Sequence, residues 1–72
     1  MNQDFQKKLG QRIKFLRENK GISQQELAYI CDFEKSNMSR IEAGRTNPTI
    51  GTLLKISNAL SVKLIYLLDF EN

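Results

Sequence analysis

Residues 35–40 read Lys-Ser-Asn-Met-Ser-Arg. On a helix, Met38 and Ile41 share one side and can pack inward. Lys35, Ser36, Asn37, Ser39 and Arg40 are left beside them and opposite. A helix that merely faces solvent usually pairs Glu with Lys at i,i+4. This segment instead sets short polar side chains next to one long Arg, with little acid. Such a surface can come close to an acceptor-rich partner and donate hydrogen bonds to it. The DNA major groove is such a partner: it admits one α-helix and presents guanine O6 and N7 and adenine N7 as acceptors.

Other chemistries lack their residues. The chain has no His and a single Cys among 72 residues. The commonest general base and metal ligand is therefore absent, and neither an internal disulfide nor a Cys-rich zinc site can form. The eight Asp and Glu are scattered, and no Ser, Cys or Lys has a candidate base beside it. No catalytic residue, metal site, cofactor or small-molecule ligand is expected. At 40% hydrophobic and 26% charged residues the composition is that of a globular domain. A net charge of +3 points weakly to an anionic partner. The N-terminus opens no apolar signal segment, and the longest apolar run, Leu64-Ile65-Tyr66-Leu67-Leu68, is far short of a membrane span. With its lone Cys, the chain is expected in the cytoplasm.

The elements that must hold residues 35–40 in place are short helices. Phe5, Leu9, Ile13 and Leu16 form one helical stripe over residues 4–19, with Lys7, Lys8, Arg12, Lys14 and Arg17 on the other faces. Gly21 can end that helix in the left-handed conformation. Ser23-Gln24-Gln25-Glu26 is a capping box opening a second helix over residues 24–31, with Leu27, Ala28 and Cys31 inward. Cys31 there is a structural buried thiol. After a break at Asp32-Phe33-Glu34, a third helix covers residues 35–43 and Gly44 stops it. Thr49 can cap a fourth helix over residues 50–60, with Ile50, Leu53, Leu54, Ser57 and Leu60 as its inner face. A last helical stretch runs from Ser61 or Val62 to Leu68. No segment alternates with the period of a strand. The predicted class is all-α, one domain of five helices spanning residues 1–72.

The stretches Ser23-Gln-Gln-Glu-Leu-Ala28, Ser36-Asn-Met-Ser-Arg-Ile-Glu42-Ala-Gly44-Arg45 and Asn47-Pro48-Thr49 together resemble the helix-turn-helix of the phage repressor/Cro-like (XRE-type) DNA-binding family. The likeness runs over residues 9–68 and includes Leu16-Arg17-Glu18 and Leu53-Leu54-Lys55. It implies a compact lambda-repressor-like domain whose motif lies at residues 23–44, with residues 35–43 as the recognition helix in the major groove. By position, Lys35, Ser36 and Arg40 match the family's main base readers, with Asn37 and Ser39 beside them. Gln24 matches a phosphate contact at the start of the second helix, where free amides and the helix dipole favour an anion. Arg45, Thr46 and Asn47 match a loop that clamps the DNA backbone. Arg17 and Glu42 match an ion pair tying the first helix to the end of the third.

Two positions depart from the family pattern. Asp32 stands where Gly is common, and Asp tolerates the left-handed region better than most residues. Glu34 stands where Ser or Thr often opens the recognition helix. A carboxylate there suits the helix N-terminus, but must avoid phosphate or accept from a cytosine N4 amine.

The C-terminal segment has more apolar residues than one face of a short helix needs. Leu64 and Leu67 are assigned to the core. Ile65, Tyr66, Leu68 and Phe70 are candidate contacts of a homodimer, the alternative being that they cap a small core. The implied function is a repressor-type transcriptional regulator that binds a palindromic site on double-stranded DNA as a dimer. The alternative is a protein-interaction module, antitoxin-like or adaptor-like, with secondary or no DNA binding.

Overall fold

The computed structural model describes residues 3–70; the outermost residues of the expected domain, 1–2 and 71–72, lie outside the described residues. Five helices follow in chain order: α1 (Gln3–Asn19), α2 (Gln24–Ile30), α3 (Lys35–Glu42), α4 (Ile50–Ala59) and α5 (Leu64–Leu67). Among the described residues there is no strand.

The helix starts follow from local chemistry. Ser23 accepts from the Glu26 amide at 3.0 Å, and the Glu26 carboxylate accepts from the Ser23 amide at 2.7 Å, closing the capping box. Thr49 accepts from the Thr52 amide at 3.1 Å and opens α4.

The helix ends share one device. After α1, α2, α3 and α4 the chain passes through a residue with positive φ: Gly21 (72°), Asp32 (61°), Gly44 (75°) and Ser61 (58°). In each case the next residue's amide returns to a carbonyl five back: Ile22 to Arg17, Phe33 to Ala28, Arg45 to Arg40 and Val62 to Ser57. This is the Schellman arrangement, which satisfies carbonyls the helix would otherwise strand. In three of the four turns the residue so placed is apolar, and Ile22, Phe33 and Val62 fold back against the core.

The core draws on every helix. Ile13, Leu27, Met38, Ile56, Leu60 and Leu67 are fully buried, with Leu9, Leu16, Ala28, Cys31, Ile41 and Leu53 around them. Gly10 lets α1 cross the end of α3 at backbone distance, because a Cβ there would lie 2.5 Å from the Ile41 carbonyl oxygen. That crossing holds the C-terminal end of α3.

Two expectations are corrected. Ile50 and Leu54 are not on the inner face of α4: they are 69% and 45% exposed. The buried face is Leu53, Ile56, Ser57 and Leu60. At about 100° per residue these four cover one side of the helix, and Leu54 points roughly a quarter-turn or more away from its centre. The last helix is also shorter than expected. Ser61 and Val62 belong to the turn that ends α4, so α5 begins at Leu64 after Lys63. Leu67 is buried and Leu64 is half-buried against the core.

Candidate nucleic-acid interface

The α2–turn–α3 unit is built around Met38 and Ile41, which anchor α3 inward, and Leu27 and Ala28, which anchor α2. Phe33, in the turn, packs on the core and lies 5.6 Å from the Lys55 ammonium of α4, a cation–π contact. The Cys31 thiol donates to the Lys55 carbonyl at 3.7 Å, and burial pushes its pKa up. Both contacts fix the turn against α4, and with it the start of α3.

The far end of α3 is fixed by charge. Arg17 Nε meets Glu42 Oε2 at 2.7 Å and Arg17 Nη2 meets Glu42 Oε1 at 3.1 Å, a bidentate pair whose side chains are 9% and 3% exposed. Arg17 Nη1 donates to the Ile22 carbonyl at 2.9 Å, so one guanidinium ties the end of α1 to its own terminal turn and to α3. The hydrogen bonds to Glu42 hold the Arg17 pKa above its ordinary value. Gln24 Nε2 adds a third bond to Glu42 Oε1 at 3.1 Å. The N-terminus of α2 is thereby pinned to the C-terminus of α3.

With its inner face held in this way, α3 turns Lys35, Ser36, Ser39 and Arg40 to solvent. Ser36, Ser39 and Arg40 lie opposite Met38 and Ile41, and Lys35 stands at the helix start. None of the four enters an ion pair with a described residue, and their hydrogen-bonding groups face solvent. Asn37 is half-buried and leans to one side. It lines a shallow depression of about 190 Å³ with Ile41, Thr46, Asn47, Pro48, Thr49 and Thr52. Thus the fold brings Asn37 against the loop that follows α3. Arg45 and Asn47 in that loop are exposed and Thr46 is half-buried. Gln24 is half-buried at the first position of α2, with part of its amide engaged by Glu42.

The expected dimer contacts divide. Ile65, Tyr66 and Leu68 are 68%, 51% and 41% exposed, and Phe15 of α1 is 53% exposed. Phe70 instead turns back into its own chain, its ring 5.2 Å from that of Phe5 in an edge-on contact at 61°. Arg12 does not simply extend the solvated basic face of α1. Its Nε donates to the Tyr66 carbonyl at 2.8 Å, and its guanidinium lies 5.8 Å from the Phe15 ring and 5.7 Å from the Tyr66 ring. The Gln24–Glu42 and Arg12–Tyr66 contacts carry no signal in the sequence, because their partners are 18 and 54 positions apart.

Among the described residues no group of three or more Asp, Glu, Cys or His side chains is placed to hold a metal ion, and no helix is long and apolar enough to cross a membrane.

Comparison with known proteins agrees with this architecture. The family model described as a helix-turn-helix domain matches residues 10–72. The chain is 40% identical over 62 residues to the control protein C.BamHI of Bacillus amyloliquefaciens, covering 85% of this chain and 76% of that one. It is 47% identical over 62 residues to the HTH-type transcriptional regulator SinR of Bacillus subtilis, covering 85% of this chain and 56% of SinR. Among solved structures, the restriction-modification controller protein C.AhdI of Aeromonas hydrophila superposes with a TM-score of 0.88 at 32% identity, over 90% of this chain and 94% of that one. The chain therefore belongs to the helix-turn-helix domain family of transcriptional regulators.

Proposed function

We propose that the chain is a sequence-specific double-stranded DNA-binding regulator of the repressor type, acting in the cytoplasm as a homodimer on a palindromic operator. It acts by binding alone, with no catalytic step, cofactor or small-molecule ligand. One observation carries the reading. The helix that a helix-turn-helix lays in the major groove is locked on its inner side by a buried bidentate ion pair, while its outer side offers Ser36, Ser39 and Arg40 unpaired among the described residues.

In this reading Lys35, Ser36, Asn37, Ser39 and Arg40 read base edges. Arg40 donates to guanine O6 and N7, a contact worth about 1–3 kcal/mol of discrimination. Gln24, Arg45, Thr46 and Asn47 hold backbone phosphates and set the register of α3, contributing affinity without sequence preference. Ile65, Tyr66 and Leu68 form the contact between protomers, and Phe70 supports that surface from behind through Phe5.

The test is selection of bound duplexes from a random pool, with a salt titration on the winner. An enriched inverted repeat with half-sites about 34–36 Å apart is expected. Log affinity should fall with log salt with a slope of several units. A chain that binds every duplex equally, or none, overturns the reading and leaves the protein-interaction alternative.

A further inference from the structure

Glu34 is the N-cap of α3, and its side chain satisfies none of the helix's free amides. Its backbone is extended there (φ −71°, ψ 146°), yet the carboxylate makes no capping hydrogen bond. The N-caps of α2 and α4, Ser23 and Thr49, both do. Glu34 is exposed and enters no ion pair with any described residue, although Lys35 is its neighbour. Glu is not among the residues preferred at an N-cap, where Ser, Thr, Asp or Asn would serve the helix better. The helix dipole favours a carboxylate here, but Asp would serve that charge and the cap together, so stability gives no reason for Glu in particular.

The position is the end of α3 that, in a helix-turn-helix, approaches base edges. A carboxylate brought there is repelled by phosphates and by the acceptors that dominate the groove: guanine O6 and N7, adenine N7 and thymine O4. Two bases offer a donor. Adenine sets its N6 amine beside the N7 acceptor, which opposes a carboxylate. Cytosine presents its N4 amine with no acceptor on the same base. We propose that Glu34 is a specificity-determining residue that selects a cytosine in each half-site by accepting from its N4 amine. The exposed Lys35 ammonium next to it is placed to meet the acceptors of the paired guanine. Glu34 and Lys35 then match the two halves of one C·G pair, acceptor to donor and donor to acceptor. This inference rests on the DNA-binding reading above and adds to it a base and a residue.

The experiment compares duplexes selected from a random pool by the full chain and by Glu34→Gln and Glu34→Ser. The unaltered chain should enrich a cytosine at one position of each half-site. Glu34→Gln should move that position to adenine, whose N6 and N7 suit a carboxamide, and leave the other positions unchanged. Its loss of affinity for the original site should be roughly 5- to 150-fold. Glu34→Ser should erase the preference and bind random duplex more tightly, because the charge that repels phosphate is gone. It should also melt several degrees higher, because Ser can cap α3. That rise shows that the altered selectivity is not loss of fold. The proposal is overturned if all three proteins select the same bases at every position while the unaltered chain still enriches a site; the DNA-binding reading then stands. If the unaltered chain enriches no sequence, both fall.

Discussion

Arg17 and Glu42, 25 positions apart, meet in a bidentate ion pair that is almost wholly removed from solvent, and the Glu42 carboxylate also accepts from Gln24. Three helices are joined at this point: the end of α1, the start of α2 and the end of α3. The pair's value to the fold is geometric. Two charges taken from water recover their desolvation only with good geometry and full hydrogen bonding, so net stabilisation is not assured. Removing one partner, however, leaves an unpaired buried charge. Arg17→Met should cost about 3–5 kcal/mol in urea unfolding. Arg17→Met with Glu42→Leu should recover a large part of it. A double variant as unstable as the sum of the single variants would show that the two residues do not act as a pair.

The positive-φ residues ending α2 and α4 predict where stability can be gained. A non-glycine residue in the left-handed region costs about 1–2 kcal/mol, and glycine's own entropy offsets roughly 0.5–1 of that. Ser61→Gly should therefore raise stability by about 0.5–1 kcal/mol, and Asp32→Gly by less, since Asp is the better tolerated residue there. Gly44→Ala should do the reverse and lose at least about 2 kcal/mol. Besides the positive φ, its Cβ would lie 2.6 Å from the Lys7 Cα of α1. Thermal melts of the three variants check the order.

Acid should release the start of α2. The hydrogen bonds from the Ser23 amide and hydroxyl hold the Glu26 carboxyl below the usual carboxylate range. A group whose pKa is depressed by folding contributes stability above its unfolded value, about 4.3 for Glu, and loses that contribution as pH falls through the folded value. The stability difference between the unaltered chain and Glu26→Gln should thus be present at neutral pH and shrink below about pH 4. A difference that does not change with pH would place the effect elsewhere.

Base-reading and phosphate-holding residues should separate in binding assays. Arg40→Ala should cost about 1–3 kcal/mol on the selected site and relax preference at one base position. Arg45→Ala should weaken all duplexes about equally and lower the salt slope by about one unit. Gln24→Ala should likewise weaken all duplexes about equally. A uniform loss from Arg40→Ala would move that residue from the bases to the backbone.

The exposed apolar surface of α5 should control assembly. Ile65 is 68% exposed, so Ile65→Asp should change folding stability by no more than about 0.5 kcal/mol. It should shift the chain from dimer to monomer in sedimentation equilibrium and weaken operator binding. A dimer that survives the substitution would place the contact elsewhere.

What the sequence by itself determined was whatever one or two helical turns can carry. The Ser23–Glu26 capping box, the Thr49 cap, the stripe of Leu9, Ile13 and Leu16 and the inward pair Met38 and Ile41 each depend on neighbours three or four positions away. The five helices and the outward display of Ser36, Ser39 and Arg40 were legible for that reason. The Arg17–Glu42 pairing was legible through the family's pattern, since nothing local joins two residues so far apart.

Tertiary structure decided the rest. On α4, stripes through Ile50 and Leu54 or through Ile56 and Leu60 both have i,i+4 spacing. Only the placement of α2 and α5 against the helix buries the second and exposes the first. Arg12 had the same spacing as the other basic residues of α1, and α5, arriving from the far end of the chain, gave it the Tyr66 carbonyl and ring beside the Phe15 ring of its own helix. Phe70 could by sequence serve a dimer contact or cap the core, and its edge-on contact with Phe5 turns it to its own chain. Glu34 was recognisable as the residue before the recognition helix, but only the folded geometry left its carboxylate without a partner among the described residues. Spacing along a helix states which residues share a face; what covers that face depends on segments distant in sequence, and local periodicity carries no information about them.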